Sequence, residues 1–337
     1  MISASEEEFP LDSEWGQVDT RKGQNARRKA GPIAPGPVAA GSGTEGVTIT
    51  HPEKVLFPED GITKRELATY YEFIAPIMLP HVRGRPITME RYHRGIGEKG
   101  FFQKNVAKGF PEWLERVEVP KRGGTVHHPI VTDMRSLVWL ANQNSITPHV
   151  WTSRAPDLYH PDVCVFDLDP AEDHPERLRA AALWLRGLLN ELGLPSWIKT
   201  SGSKGFHVAV PLDGEADMGV VAGFAHAVGR MLVQRHPDHL TQEFMKADRG
   251  GRILVDTGRN GYSATFAAVY AVRARPGAPV SAPCSWEEIE RGEVAPRTYG
   301  LRDMSARVAA AGDLWSEMPR RAQSLSAAIE RARTLGR

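Results

Sequence analysis

The amino-acid sequence predicts an α/β or α+β domain built around a mixed sheet, and three observations support this prediction. Apolar, strand-like segments alternate with amphipathic segments of helical periodicity, as at 163–166 and 175–192. Residues 196–212 are typical of two strands joined by a Gly/Ser turn, and residues 253–280 of two strands joined by an irregular loop. Helical crossovers connect parallel strands and short turns connect antiparallel ones, so the sheet is expected to contain parallel and antiparallel strand pairs.

Capping and periodicity signals predict the individual elements. Thr63 and Glu66 form a capping-box pattern ahead of an apolar helical segment, and Gly193 is placed to end the helix 175–192. Further helices are predicted at 133–145, at 215–236 and from about 297 onwards. Further short strands are predicted at 85–92, 100–105 and 147–154.

Composition limits the classes of protein that fit. The chain has 337 residues, 41% of them hydrophobic and 25% charged, with a net charge of +1, so nucleic-acid contact requires a local basic patch. Its two cysteines, Cys164 and Cys284, form no CxxC pair, which argues against a disulfide framework and a cysteine zinc site. Because no apolar run approaches ~18 residues and the acidic N-terminus has no apolar core, we expect a cytoplasmic protein without a membrane segment.

The chain divides by composition into three parts. Residues 1–45 pass from an acidic start through a basic cluster to a Gly/Pro/Ala-rich segment, which predicts a disordered tail and linker. Residues 46–320 carry the periodic segments and are predicted to form the folded domain. Residues 321–337 are predicted to form a helical tail.

Two carboxylates follow the apolar strand in DVCVFDLDPAE, residues 162–172. Asp167 and Asp169 are spaced i, i+2, so on a strand they share one face, where like charges raise each other's pKa and favour a cation between them. Another apolar strand ends in Asp256, and if the two strands are neighbours all three carboxylates could hold two divalent cations. The alternative is that these aspartates cap the following turn or helix.

Three further patterns suggest contacts with phosphates or bases. The turn TSGSKGFH, residues 200–207, exposes backbone N–H groups beside Lys204 and leads to His207; it could cradle a triphosphate or be an ordinary hairpin turn. Arg273 and Arg275 alternate along a predicted strand, so they could bind phosphate oxygens on one face or simply face solvent. Lys64 falls in the first turn of a predicted helix, where its positive charge opposes the helix dipole unless an anion binds beside it. The simpler interpretation is an exposed lysine.

Adjacent aromatic residues raise a separate possibility. Phe101 and Phe102 precede Lys104, and two neighbouring side chains on a strand cannot both enter one core face. One of them could therefore stack on a nucleobase, unless the loop folds back and hides both.

Taken in order, the motifs HPEKVLFP, FFQKN, PHVW, FDLDP, TSGSKGFH, VDTGRNG and YAVRARPGAPVSAP resemble the polymerase domain of bacterial DNA ligase D, in the archaeo-eukaryotic primase–polymerase superfamily. The resemblance covers roughly residues 45–320. It implies an α+β fold in which mixed or antiparallel central sheets are flanked by helices around a primase-like, RRM-like catalytic core. It also implies an N-terminal 5′-phosphate-binding module at about 46–145.

The resemblance further implies a role for each matching residue. The residues expected to hold two Mn²⁺ or Mg²⁺ ions and to catalyse the reaction are Asp167, Asp169 and Asp256. Those expected to bind the nucleoside triphosphate are His149 near the sugar, Ser201, Lys204 and His207 on the phosphates, and Arg259 and Arg273. Those expected to contact DNA are Lys54 and Lys64 on the 5′-phosphate, Phe101 and Phe102 on the template, and Arg91 and Lys104 elsewhere.

Two departures from the family pattern affect these expectations. His51 stands where relatives commonly carry asparagine, and Glu90 stands where they carry a second basic residue, so the 5′-phosphate pocket and the primer contacts are expected to differ. The sequence also has no ligase KxDG motif, which suggests similarity to the stand-alone primase–polymerases of actinobacteria.

The function expected from the resemblance is template-dependent filling of short DNA gaps that carry a 5′-phosphate, with ribonucleotides preferred. The alternative within the family is end processing in non-homologous end joining. The expected partners are gapped or broken double-stranded DNA, with Ku and a DNA ligase as candidate proteins, and the protein is expected to be a monomer located in the cytoplasm on the nucleoid.

Two other classes compete with this function. A haloacid-dehalogenase-type phosphatase also places DxD after an apolar strand, but its motif requires Thr or Val where this sequence has Ala171. A non-catalytic DNA-end-binding module would not need the three carboxylates.

Overall fold

The computed structural model describes residues 46–172 and 174–335. The tail and linker predicted at 1–45 lie outside the described residues. The α-helices are α1 Lys64–Val82, α2 Met134–Asn142, α3 Pro175–Glu191, α4 Met218–Arg235, α5 Trp286–Glu290, α6 Met304–Ala311 and α7 Ser326–Leu335. The strands are β1 Val55–Phe57, β2 Ile62–Thr63, β3 Ile87–Arg91, β4 Phe101–Gln103, β5 Arg116–Lys121, β6 Gly124–Pro129, β7 Ser145–Val150, β8 Val163–Pro170, β9 Trp197–Thr200, β10 Phe206–Pro211, β11 Leu240–Thr241, β12 Ile253–Asp256, β13 Phe266–Ala267 and β14 Pro283–Cys284.

A six-stranded sheet forms the centre of the fold, in the order β11-β12-β8-β10-β9-β14. Its β11–β12 pair is parallel and its other pairs are antiparallel, which confirms the predicted mixed sheet. Alternate residues of β8 enter two different cores, because successive side chains of a strand point to opposite faces. Phe166 and Leu168 pack with α3 and α4, whereas Val163 and Val165 face the other core.

A second, four-stranded sheet has the order β13-β7-β3-β4 and is antiparallel throughout. Its buried residues, including Ile87 and Ile146, share one apolar core with α1, α2 and the inner face of the six-stranded sheet. The two sheets therefore meet across this core. The hairpins β1–β2 and β5–β6 form two small additional sheets.

The predicted start of α1 is confirmed. The Thr63 side chain accepts a hydrogen bond from the Glu66 N–H at 3.3 Å, and the Glu66 carboxylate accepts one from the Thr63 N–H at 3.2 Å, which completes a capping box. Leu67 and Ile74 of this helix are fully buried against the shared core. Lys64 is thereby fixed as the first helical residue.

Several predicted boundaries need correction. The strand β8 continues to Pro170, because β12 pairs with it as far as Ile253 and Pro170, so the two aspartates lie within the strand and not after it. The predicted strand through Arg273 and Arg275 is wrong. There Val272 and Val280 make one isolated antiparallel bridge, but the pairing does not extend into a ladder, because the Arg275 N–H bonds to the Arg273 carbonyl and the Ala278 N–H to the Arg275 carbonyl in a turn.

The predicted helical C-terminal region is broken into short helices. Gly312, at φ +63°, ends α6, and a 3-10 turn at Met318–Arg321 precedes α7. Ala328 and Ala332 of α7 are buried in the core beneath α3 and α4. The strand predicted at 147–154 instead covers Ser145–Val150.

Both cysteines are buried free thiols. Burial raises the pKa of both, for Cys284 to about 12, so neither is a reactive thiolate at neutral pH.

Among residues 46–172 and 174–335, no helix is both long enough and apolar enough to cross a bilayer.

Candidate active site

Four polar residues form one row across the six-stranded sheet. Asp256 of β12 is the register partner of Asp167 on β8, Asp167 is the partner of His207 on β10, and His207 is the partner of Lys199 on β9. Register partners on antiparallel strands have Cα atoms about 4.5–5.5 Å apart and project to the same face. The structure therefore places Asp256 beside Asp167 as the sequence predicted, and Asp169 lies two residues along the same face of β8.

The carboxylates of this row carry unbalanced negative charge. Burial, followed by the nearby Asp256 and Asp169, raises the pKa of Asp167 to about 6 even though the Arg259 guanidinium acts in the opposite direction. Arg259 Nη2 lies 3.3 Å from Asp167 Oδ2 and 3.0 Å from Asp256 Oδ2. A site that retains a raised carboxylate pKa beside an arginine can accept further positive charge.

Asp169 is held separately from the other two carboxylates. Its Oδ2 lies 3.1 Å from Nη1 of Arg249, a buried arginine whose other donors bind the Glu243 and Phe244 carbonyls. In this conformation, no group of three or more acidic, histidine or cysteine side chains within the described ranges is arranged to hold a metal ion. Arginine guanidinium groups instead occupy the positions next to all three carboxylates. The donor set, three carboxylates on one face, nevertheless matches the oxygen ligands that hard divalent cations prefer.

The Gly/Ser turn lies directly on β8. An added Cβ on Gly205 would stand 1.7 Å from the Leu168 carbonyl oxygen, so only glycine permits this approach. The buried Ser201 hydroxyl accepts hydrogen bonds from the N–H groups of Ser203 and Gly205, at 3.1 and 3.0 Å. These two N–H groups are therefore used within the turn, and the groups that could meet an anion here include the Ser201 hydroxyl hydrogen and the exposed Lys204.

The two predicted arginines occupy different positions. Arg273 packs beneath the turn, where its Nη1 donates to the Ser201 carbonyl at 2.6 Å. Its Nε is buried and has no hydrogen-bond partner within 46–172 and 174–335. Arg259 lies in a 3-10 turn and binds the carboxylates described above. Arg273 is therefore the better placed of the two to bind an anion, since Arg259 already has two acidic partners.

His149 belongs to a hydrogen-bonded group on the second sheet. Its Nε2 lies 3.1 Å from Glu90 Oε2, and the Tyr92 hydroxyl donates to Glu90 Oε1 at 2.8 Å. Burial alone would raise the pKa of Glu90, but these two hydrogen bonds and nearby Arg273 lower it to about 2. Glu90 is therefore ionised and fixes the His149 ring.

A second cluster of positive charge lies at the start of α1. Lys64 is buried, and its Nζ donates to the Thr50 carbonyl at 2.7 Å and the Thr50 hydroxyl at 3.0 Å. Burial, followed by the nearby charges of Lys54 and Arg91, lowers the pKa of Lys64 to about 8. Across 46–172 and 174–335, none of the ion pairs involves Lys54, Lys64 or Arg91. Three cations without an acidic partner, beside a helix N-terminus, have the charge that would suit an anion.

The adjacent phenylalanines are both exposed, because β4 is the edge strand of its sheet. Phe101 is 39% exposed and Phe102 is 63% exposed, whereas at most one was predicted to be so. The Arg91 guanidinium lies 5.6 Å from the Phe101 ring centre, and the Phe102 ring packs edge-on to His149 at 5.4 Å. Lys104 follows, 3.2 Å from the Ser263 hydroxyl. This strand therefore connects the cationic cluster with the group around His149.

Sequence reasoning missed two residues of this region, Lys199 and Arg249. Lys199 is fully buried in a strand otherwise made of Trp, Ile and Thr, and a lysine inside such an apolar pattern is a usable signal. Arg249 lies in a short loop with no periodic pattern, and only the tertiary structure reveals its contact with Asp169.

Comparisons with known proteins agree with this geometry. The family model "LigD, primase-polymerase domain" matches residues 63–315. The multifunctional non-homologous end joining protein LigD of Mycolicibacterium smegmatis is 37% identical over 74% of this chain and 33% of its own length. The protein of the same name from Pseudomonas aeruginosa is 34% identical over 87% of this chain and 35% of its own length.

Among solved structures, the polymerase domain of Mycobacterium tuberculosis ligase D in complex with DNA superposes with a TM-score of 0.78 at 34% identity. The superposition covers 82% of this chain and 99% of that domain. The chain spans about a third of the length of the curated relatives that it matches. The fold is thus the α+β, archaeo-eukaryotic primase-like fold, and the resemblance read from the motifs is confirmed. The chain belongs to the LigD primase-polymerase family, whose members are nucleotidyltransferases that depend on divalent metal ions.

Proposed function

We propose that this protein fills short DNA gaps bearing a 5′-phosphate by template-dependent transfer of nucleotides, with ribonucleotides preferred. One observation carries the proposal: the same domain holds a row of carboxylates and an uncompensated cationic cluster, and an exposed aromatic strand runs from that cluster to the group around His149. Glu90 and Arg91 of β3 pair with Phe102 and Phe101 of β4, respectively. A primer end and a 5′-phosphate on opposite sides of a gap need two such sites, and an unpaired template base needs the aromatic surface between them.

The residues at the carboxylate row suit nucleotidyl transfer. Asp167, Asp169 and Asp256 would hold two divalent cations, Mn²⁺ or Mg²⁺. When bound, such ions supply Lewis-acid activation of the primer 3′-hydroxyl and charge stabilisation on the leaving pyrophosphate. Lys204 and Arg273 would neutralise the triphosphate.

The residues assigned to DNA are those of the N-terminal part of the domain, and we place a 5′-phosphate-binding module at about 46–145. Lys54 and Lys64 would bind the 5′-phosphate, with Arg91 beside them. Phe101 and Phe102 would stack on the template, and Lys104 would contact its backbone. We place the helical tail at 321–337.

End processing in non-homologous end joining is the second candidate function. The names of the LigD relatives favour it, because those proteins are described as end-joining proteins. In that role the substrate is a broken DNA end, and Ku and a DNA ligase are the proposed partners. Both functions place the protein on the nucleoid, as a monomer, and both use the same carboxylates and cationic cluster.

Primer extension on gaps of graded length tests the function. We expect incorporation on short gaps in Mn²⁺ or Mg²⁺, higher with a 5′-phosphate and higher with ribonucleotides than with deoxyribonucleotides. More efficient extension of annealed broken ends than of gaps would favour end processing. Release of inorganic phosphate from a simple ester without a template, or DNA binding without incorporation in any metal, would reject the polymerase.

Template stacking gives a further prediction. Phe102→Ala should weaken binding to a gap with unpaired template bases by roughly 5- to 150-fold, since a stacked base contributes about 1–3 kcal/mol. The measurement is fluorescence anisotropy on gapped and fully duplex DNA. Phe73→Ala, which removes a phenylalanine of 44% exposure on α1, is the matched control and should leave both affinities unchanged. An equal loss on gapped and duplex DNA would contradict the stacking role.

A further inference from the structure

Lys199 is a fully buried lysine whose three hydrogen-bond contacts are all to uncharged groups. Its Nζ lies 2.7 Å from His207 Nδ1, 3.0 Å from the Ala267 carbonyl oxygen and 2.5 Å from the Ser281 hydroxyl. None of the ion pairs within the described ranges includes it. Burying an ammonium group without a carboxylate partner is costly, so packing alone does not explain this residue.

The directions of these hydrogen bonds can be assigned. The Ala267 carbonyl can only accept, so Lys199 donates to it. The Ser281 hydroxyl donates its own hydrogen to the Thr200 carbonyl at 2.9 Å, so it too accepts from Lys199. The remaining contact of Lys199 Nζ is with His207 Nδ1 at 2.7 Å, where an N–H of the lysine can meet the lone pair of a ring whose hydrogen is on Nε2.

The other ring nitrogen of His207 faces the catalytic row. Nε2 lies 3.5 Å from Asp167 Oδ1, and an ionised carboxylate can only accept. The tautomer with its hydrogen on Nε2 therefore suits both sides of the ring, with an acceptor towards Lys199 and a donor towards Asp167.

We infer that Lys199 is a positioning residue for nucleotide incorporation, which acts by fixing the His207 ring so that Nε2–H points into the site at Asp167. The inference rests on the proposed function. A donor fixed in this direction can hydrogen-bond an anionic phosphate oxygen without reorganising during the reaction, which is how preorganised donors accelerate phosphoryl chemistry. Lys199 also joins the two sheets, because Ala267, whose carbonyl it binds, is the register partner of His149.

The test combines ring spectroscopy with a double-mutant cycle. In the full-length protein without DNA, ¹⁵N NMR of the histidines should show His207 with a hydrogen on Nε2 and a hydrogen-bonded, unprotonated Nδ1. Lys199→Met, which keeps the chain length and removes the donors, should abolish the hydrogen-bond shift at Nδ1. It should also lower kcat/KM for the nucleotide by about 10- to 100-fold, the usual effect of losing such a supporting group.

If Lys199 acts through His207, the losses are not additive. Lys199→Met combined with His207→Ala should be no slower than His207→Ala alone, and the affinity for gapped DNA should be unchanged in both. Arg307→Met removes a half-buried cation, paired with Glu288, and controls for destabilisation alone; its kcat/KM should stay near that of the wild type. Ser281→Ala loosens one contact of Lys199 and should give a smaller loss in the same direction, which keeps the test available if Lys199→Met does not fold.

A His207 ring without a hydrogen on Nε2 in the wild-type protein would overturn the inference, and so would additive losses of kcat/KM in the double mutant. So would a loss in Lys199→Met that Arg307→Met reproduces. A wild-type protein that incorporates no nucleotide would reject the proposed function alone, because the NMR measurement on the resting protein would still decide whether Lys199 fixes the ring.

Discussion

Asp167→Asn should reduce nucleotide incorporation by at least about 10³-fold, because the charge that holds a divalent cation contributes several kcal/mol to the transition state. The same substitution should not destabilise the fold. Asp167 has a pKa of about 6 in the folded protein against an ordinary value of 3.8, since it is buried and lies near Asp256 and Asp169. Ionising it therefore works against folding, and the neutral amide avoids that penalty.

The pH dependence follows from the direction of this shift. A carboxyl whose folded pKa is raised favours the fold most when it is protonated, so that advantage is complete below pH ~4 and is lost as the pH rises through about 6. At pH 7 the wild type should be less stable than Asp167→Asn by about 2–3 kcal/mol, and near pH 4 the two should be equal. Urea unfolding at both pH values measures the difference.

Two controls separate chemistry from folding. Asp217→Asn changes a carboxylate at the N-cap of α4, where asparagine caps as well, and should alter neither activity nor the pH profile. Mn²⁺ should raise the Tm of the wild type more than that of Asp167→Asn, because binding to the folded state adds stability. Near-normal incorporation by Asp167→Asn would remove Asp167 from the catalytic site.

The sequence predicted those parts of the fold that local chemistry determines. The capping box at Thr63 and Glu66 places Lys64 in the first turn of its helix, and the i, i+2 spacing of the two aspartates places them on one face. The position of Asp256 could only be stated conditionally, because strand order depends on tertiary packing and not on a local pattern. The strand register of the structure shows that position, because Asp256 pairs with Asp167.

The features that the sequence did not predict also have physical causes. The alternation of Arg273 and Arg275 suggested a strand, but the Pro-Gly turn that follows them limits the pairing to an isolated bridge between Val272 and Val280. The Gly/Ser turn was expected to expose its N–H groups, yet the Ser201 hydroxyl binds two of them. Side-chain to backbone hydrogen bonds of this kind leave no periodic signal in a sequence.

The carboxylate row and the cationic cluster around Lys64 differ in whether their charged groups already have partners of opposite charge. In this conformation Arg259 and Arg249 pair with the three carboxylates, so a bound cation would compete with arginines for the same oxygens. The cationic cluster around Lys64 has no acidic partner to lose. An anion should therefore bind the cationic cluster without displacing any group, whereas metal binding requires side-chain movement.

Lys64→Met should abolish the preference for 5′-phosphorylated gaps, with a loss of about 10- to 100-fold in affinity for them, since a hydrogen bond to a charged group contributes about 1.5–3 kcal/mol. Affinity for gaps without the phosphate should change little, and the rate of incorporation at saturating DNA should stay the same. The slope of log affinity against log salt should fall by about one, because one phosphate contact is lost. Lys108→Met, an exposed lysine, is the matched control.

The pKa of Lys64 adds a pH test with a definite sign. Burial, Lys54 and Arg91 lower that pKa to about 8, so the ammonium form is disfavoured in the free protein and the fold gains stability as the pH rises from 8 towards 10.5. A bound phosphate favours the ammonium form, so affinity for phosphorylated gaps should fall as the pH rises through 8, while Lys64→Met should show no such fall. Equal losses on phosphorylated and unphosphorylated gaps, or the same pH profile in the variant, would show that Lys64 supports the fold and does not bind the phosphate.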